Sequence, residues 1–378
     1  MQTRALCLND QKKGYPARRI IDSHVHMAFP MALDDTARFV QNYITYFGLD
    51  GLVLLSLPHS SRAQATDPFN ALKALYLKRL FSSKRVYVFG GLYHHFDRRD
   101  SPEGFVHQLE KMRLLGCDGL KMLLGKPPLR LRLGVGLDDP LLEDAWRWCE
   151  KERFPVTLHL GDPAPFWRGQ GAQYTGADPS LEMLRAETEN VLMRHPELDL
   201  TLCHFYFMAD EPKRALKFMR AHKNVSFDLT PGSEMYYSFS QDPAFWSDFF
   251  LENETRILFG TDSDNWDSPE DIRKCERSFS YPFNLVRNAL EGKAPFRFED
   301  VDYGELTPLR LTEQALQSIY SQNLLRRLGD PRPVDGEMLR RVARHALSLY
   351  RSGKIEEGDA QRQQLEAKNL EQIASGLI

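Results

Sequence analysis

Eight short runs rich in apolar and β-branched residues recur along this chain, separated by longer stretches of helical periodicity. They fall at 19–26, 51–56, 86–93, 119–123, 155–160, 199–204, 225–229 and 256–261. Parallel neighbours in a sheet need a crossover of a dozen or more residues between them. The intervening stretches, such as 102–115 and 141–153, are long enough and amphipathic enough to supply it. Doubly wound open sheets more often stop at five or six strands, whereas eight βα units close on themselves. The predicted fold is therefore an α/β chain forming a (β/α)8 TIM barrel.

A barrel needs about 250 residues, so a chain of 378 carries something more. The run 312–328 has the marks of the closing helix: Thr312 is placed to cap it, Ala315, Leu316, Ile319, Tyr320, Leu324 and Leu325 form one apolar stripe, and Gly329 ends it. That leaves 267–311 as a long insertion after the eighth strand, on the face where barrel active sites are built. Residues 1–330 then form the barrel, and 331–378 form a helical extension of two helices packed against it or against a second subunit.

Composition removes several classes of function. Charged residues make up 27% and apolar ones 42%, with a net charge of −3 and no segregation of acid from base, so nucleic acid is a poor partner. No window approaches the roughly 18 apolar residues of a membrane span, and residues 1–19 lack the apolar core of a secretory signal. A cytoplasmic protein, possible as a homodimer, is expected. Five cysteines, Cys7, Cys117, Cys149, Cys203 and Cys275, stand far apart with no C-x-x-C pair, which suggests buried thiols and neither a disulfide framework nor a zinc knuckle.

The chemistry concentrates at strand ends. In Asp22-Ser23-His24-Val25-His26 the two imidazoles are two residues apart and share one face of the first strand. Taken alone, such a pair also fits two satisfied polar side chains. Yet Lys121, His159, His204 and Asp262 each end another apolar run, and in a closed barrel those ends converge on one small volume. Asp22 shares the face of the two histidines and could orient one of them or serve as a buried structural partner. The loops after the strands offer substrate contacts: Tyr93 and His94, Arg130, Trp167 and Arg168, Tyr236, and Trp266. They suit a small molecule with an apolar or aromatic body and a carboxylate.

This order, H-x-H on the first strand, Lys on the fourth, His on the fifth and sixth and Asp on the eighth, resembles the amidohydrolase superfamily. It is most similar to the amidohydrolase-related group of metal-dependent hydrolases, aromatic-acid decarboxylases and hydratases; 256–262 and 319–325 match that group, and the likeness spans about 20–328. The resemblance implies that His24, His26, His159 and Asp262 hold a divalent ion, zinc foremost, with manganese, iron or nickel compatible. Such an ion lowers the pKa of water toward about 7, and Asp262 would be the general base. Lys121 has two readings. As a carbamate it would bridge two ions, His204 binding the second; as an ammonium it would fill the second position or grip an anionic substrate, with His204 moving the proton. The resemblance implies hydrolysis of a small amide, lactone or ester, or else decarboxylation of an aromatic or unsaturated acid.

Overall fold

The computed structural model describes residues 18–27, 30–61, 69–95, 104–168, 172–174, 176, 178–264, 276–297, 304–353 and 359–376. Eight parallel strands form one sheet in sequential order. They are β1 Ile21–His26, β2 Gly51–Leu55, β3 Arg85–Gly91, β4 Gly119–Gly125, β5 Val156–Leu160, β6 Leu200–Leu202, β7 Val225–Asp228 and β8 Ile257–Leu258. The chain beyond β8 closes the ring on β1: Ser23 N donates to Phe259 O (2.9 Å), Asp262 N to His24 O (3.0 Å) and His26 N to Ser263 O (2.7 Å). The fold is a TIM barrel with additional helices at its C-terminal end.

Both faces of these strands are buried, as parallel strands between a core and covering helices must be. In β2, Val53 and Leu55 join Ile21, Tyr87 and Leu258 in one apolar cluster inside the barrel, while Leu52 and Leu54 belong to the larger cluster beneath the helices. The helix Leu33–Phe47 shows how its sequence serves this packing. Leu33, Thr36, Phe39, Val40, Tyr43, Ile44 and Phe47 repeat at helical spacing and are buried, and Gly48 ends it at φ 66°. At that positive φ a glycine avoids the steric cost other residues meet.

Several boundaries differ from the sequence expectation. The third strand ends at Gly91, and Tyr93–His95 pairs instead with His59–Ser61 in a separate short ribbon. The sixth ends at Leu202, because the next residues turn left-handed: His204, Phe205, Tyr206 and Phe207 have φ of 54°, 55°, 58° and 46°.

Thr312 caps its helix by accepting from Ala315 N, and Gly329 terminates it. The run is not one regular helix, however. A π-turn at Ser318–Gln322 interrupts it, and Leu324 joins the cluster inside the barrel, with Leu325 and Leu328 packed against it. Tyr87 OH donates to Gly329 O at 2.7 Å. This segment therefore plugs the N-terminal end of the barrel. The helix Glu276–Glu291, within the insertion, lies on the barrel flank: Phe283 stacks on Phe47 at 4.3 Å and meets Phe259 edge-on, and Glu291 pairs with Arg18. The parts of the insertion at 267–275 and 298–303 lie outside the described residues.

The extension forms two helices, Gly336–Arg351 and Ala360–Ser375. Its second helix supplies the missing cap of Leu33–Phe47: Ala32 offers no side-chain cap, and Leu33 N donates instead to Asn369 Oδ1 at 2.9 Å. Among the described residues no helix is long and apolar enough to cross a membrane. Cys117, Cys149 and Cys203 are buried free thiols, while Cys7 and Cys275 lie outside the described residues.

At the N-terminal end of the barrel, buried Asp118 gathers three segments. It accepts from Lys78 Nζ (2.6 Å), from Val88 N (2.8 Å) in β3 and from Arg332 N (2.8 Å) on the way to the extension. Breaking a buried ion pair by removing one partner leaves the other charge uncompensated, at about 3 kcal/mol or more. Lys78→Met is expected to lower the free energy of unfolding by about that amount; a loss below about 1 kcal/mol in urea denaturation would show that the backbone donors suffice.

Candidate metal centre

Closure of the barrel places β1 beside the chain that follows β8, and the ligand-type residues meet there. His24 Nε2 lies 3.1 Å from His26 Nε2, and Asp262 Oδ1 is 3.2 Å and 3.3 Å from those two nitrogens. His159 Nδ1 lies 3.1 Å from His204 Nε2, and the His24 and His204 ring centres are 5.7 Å apart. Gly260 permits the close approach: a Cβ there would sit 2.9 Å from Thr230 Cγ2 and 3.2 Å from His24 Cβ.

The partners of the other ring nitrogens decide the protons. His24 Nδ1 faces Asp228 Oδ2 (2.8 Å) and His26 Nδ1 faces Leu55 O (3.1 Å). Both partners are acceptors, so both Nδ1 atoms carry the hydrogen, and in the neutral rings both Nε2 atoms present lone pairs. These lone pairs point at each other and at a carboxylate oxygen. The second pair repeats the pattern: His159 Nε2 donates to Gly161 O (2.9 Å) and His204 Nδ1 to Thr230 O (3.3 Å) or Oγ1 (3.0 Å). Again two lone pairs face each other. Buried lone pairs converging without a hydrogen between them repel, and a cation removes the repulsion. The donor set of imidazole nitrogen and carboxylate oxygen suits a divalent ion.

A proton competes with a cation for this same place, on the Nε2 of His24 facing Asp262. Burial and the neighbouring Lys121 oppose a proton on His24, yet Cys203, Asp228 and Asp262 outweigh them and raise its pKa well above the ordinary value. Burial would also lift the pKa of Asp262, but the charge of His24 and the hydrogen bonds from His24 and His26 hold it well below the carboxylate range. His204 is pushed down to about 3 by burial and by His159, which keeps it neutral. The site thus favours positive charge beside His24 and Asp262.

Lys121, fully buried, puts Nζ 3.5 Å from His24 Nε2 and 3.3 Å from Cys203 Sγ. Asp22 does not reach a histidine ring. It accepts from the backbone of His24 (3.0 Å) and Thr261 (3.2 Å) and from the hydroxyls of Tyr43 and Thr261 (both 2.6 Å), so it ties β1 to the chain after β8.

The loop residues separate. Tyr93 is buried at the rim, and His94 is buried with its ring against Phe105. Arg130 is held by Glu187 at 2.9 Å. Trp167 is half-buried, donating to Pro179 O (3.0 Å), and Arg168 is exposed. Tyr236 is buried and donates to Leu229 O (2.6 Å). Trp266 lies outside the described residues. Sequence reasoning missed Asp228, which lies one residue inside the seventh run but closes strand β7. Cys203 is the buried thiol expected, but its contact with Lys121 has no signal in the sequence.

The amidohydrolase family model Amidohydro_2 matches residues 21–326. The chain belongs to the amidohydrolase family. Members of this family are divalent-metal-dependent enzymes of the hydrolase and decarboxylase kind, and the ligand groups of this amidohydrolase lie within the matched region. No curated protein matches the chain. Among solved structures it is similar to a 2,6-dihydroxybenzoate decarboxylase from Rhizobium, at 14% identity over 82% of this chain and 99% of that one, with a TM-score of 0.47. It is also similar to a dihydroxybenzoic acid decarboxylase from Polaromonas with bound manganese and 2-nitroresorcinol, at 14% identity over 82% and 97% of the two chains and a TM-score of 0.48. A 5-carboxyvanillate decarboxylase from Sphingomonas paucimobilis shows 12% identity over 83% and 100%, with a TM-score of 0.44. Likeness of this degree assigns no activity.

His94 supplies a measurable consequence. Among the described residues neither of its ring nitrogens has a hydrogen-bond partner, and burial pushes its pKa down to about 4 from 6.5. The unfolded chain therefore takes up a proton as pH falls below about 6.5 while the folded protein does not, so this residue costs stability on the acid side, about 2 kcal/mol by pH 5. His94→Phe is expected to flatten that part of the profile, with a stability gain over wild type that grows between pH 7.5 and pH 5; a gain independent of pH would assign the effect to packing alone.

Proposed function

We propose that this amidohydrolase is a hydrolase of small amides, lactones or esters, using a zinc-type centre at His24, His26, His159, His204 and Asp262. The observation that supports it best is the convergence of two lone-pair-to-lone-pair imidazole contacts with the Asp262 carboxylate. Two such contacts side by side would suit two ions, and Lys121, if carboxylated, would join the groups that hold them. When bound, a divalent ion supplies Lewis acidity toward a carbonyl oxygen and lowers the pKa of water.

The chain's own groups supply the rest. Asp262 keeps its carboxylate ionised at neutral pH and its side chain is 37% exposed toward the mouth, so it can take a proton from an attacking water and return it to the leaving group. Asp228 fixes the His24 tautomer and, through its other oxygen, receives His204 N at 2.8 Å. Thr230 orients the His204 ring, leaving Nε2 toward the site. A second reading, decarboxylation at a single ion with His204 handling the proton, is favoured by the contact of Lys121 Nζ with Cys203 Sγ at 3.3 Å, where the amine acts as a donor.

Asp262→Asn is expected to keep its fold and cut turnover at least about a hundredfold, the scale of a lost general base; wild-type rates in that variant would remove Asp262 from the chemistry. Metal analysis separates the two readings. Protein reconstituted with bicarbonate should bind two ions per chain and lose the second in Lys121→Met, whereas one ion regardless of bicarbonate would exclude the carbamate.

A further inference from the structure

The linker between barrel and extension, residues 330–334, lies beyond the family match, which ends at residue 326. At the N-terminal end of the barrel, opposite the metal centre, it forms one wall of an open cleft of about 600 Å3. The other wall comes from the end of the helix Leu72–Leu80, the turn after it and the start of β3. Arg79 reaches across the seam: a Cβ on Gly336, the first residue of the extension's first helix, would collide with its Nη1.

Charge in this cleft is unbalanced. Lys78, Arg79, Lys84, Arg85 and Arg332 line it against Asp50 and Asp330. Lys78 is buried and spent on Asp118 at 2.6 Å, which leaves four cations facing two carboxylates, an excess of two positive charges. Asp330 lies 3.6 Å from Arg85, and Asp50 faces Arg19 at 3.8 Å. Among the described residues no carboxylate pairs with the side chains of Arg79, Lys84 or Arg332. The excess is felt at Lys78: burial lowers its pKa, and although Asp118 pulls it up, Arg332 pushes it down further. A ligand can reach these groups, because Arg79 and Lys84 are exposed and Arg85 and Arg332 are half-buried. Ser82 and Ser83, also exposed, add hydroxyl donors to the same wall.

A guanidinium fork matches two phosphate oxygens at once. A phosphate monoester carries about −1.5 to −2 charges at neutral pH, enough to offset the excess. The cleft falls within the roughly 300–1,000 Å3 of sites for small organic ligands, far more room than a phosphate ion needs, and Pro331, Pro333 and Val334 offer apolar contact to an organic body. We propose that this cleft binds a small organic phosphate monoester, its phosphate taken by Arg79, Lys84 and Arg332 and its body by the linker. Because its two walls belong to barrel and extension, the ligand fastens one to the other. The site is independent of the metal centre and of the reaction proposed there.

The test is isothermal titration calorimetry of the full chain with phenyl phosphate and with inorganic phosphate. The ester should bind more tightly than the inorganic ion, in metal-loaded and metal-stripped protein alike, and should raise the melting temperature as a ligand of the folded state does. Arg79→Gln combined with Arg332→Gln should weaken ester binding at least about tenfold, the worth of one hydrogen bond to a charged group, and remove the thermal shift. If the Arg332 change disturbs the extension by circular dichroism, Arg79→Gln combined with Lys84→Gln, both at exposed positions, decides by the same loss. Undiminished binding in these variants, or binding that vanishes with the metal, would place the ester at the metal centre and overturn the proposal. Equal affinity for the two phosphates would overturn the organic body, and no binding of either would overturn the site.

Discussion

The carboxylate of Asp22 holds the barrel shut where the chemistry has to happen. It receives two backbone and two hydroxyl hydrogens, three of them from Thr261 and Tyr43, and so joins positions 239 residues apart. Because His24 is two residues further along β1 and Asp262 one residue beyond Thr261, the same clamp sets the separation of the metal-binding groups. Burial raises the pKa of Asp22 to about 6, and the four donors resist that rise. A charged group with this many donors can remain in the interior because its hydrogen bonds replace the water it has lost.

Around the centre, the positive side chains near the mouth are already engaged. Arg130 is paired with Glu187, Lys126 with Asp162 at 2.7 Å, and Arg185 with Glu182 and Glu211. Among the described residues near the histidines, Lys121 is the cation that reaches them. The barrel thus presents converging lone pairs and carboxylates in an interior with little compensating charge, an arrangement selective for small cations of high charge.

The barrel was legible in the sequence because parallel strands buried on both faces leave continuous apolar runs, and because crossover helices have a minimum length. The centre was legible for a related reason: polar residues such as Lys121 and His159 stand out at the ends of such runs. What escaped depends on three dimensions. Asp228 looks like any strand-end carboxylate until His24 is seen beside it. Asn369 reads as a polar residue of an exposed helix, yet it caps another helix 336 residues away. His94 reads as a loop residue near the site but is buried against Phe105, since β3 ends early and a short ribbon begins. The role of 323–328 as a plug was hidden too, because an apolar stripe does not reveal which end of the barrel it will cover.

The left-handed turn after β6 carries a cost of about 1–2 kcal/mol for each non-glycine residue in it, and four occur in succession. Buried Arg185 donates to Phe207 O (2.7 Å), and Asp228 receives His204 N, so both ends of the turn are held by groups outside it. Side chains branched at Cβ tolerate this backbone hand poorly. A valine or isoleucine placed at 204–207 would therefore strain the path that carries His204 out of the sixth strand and into the site.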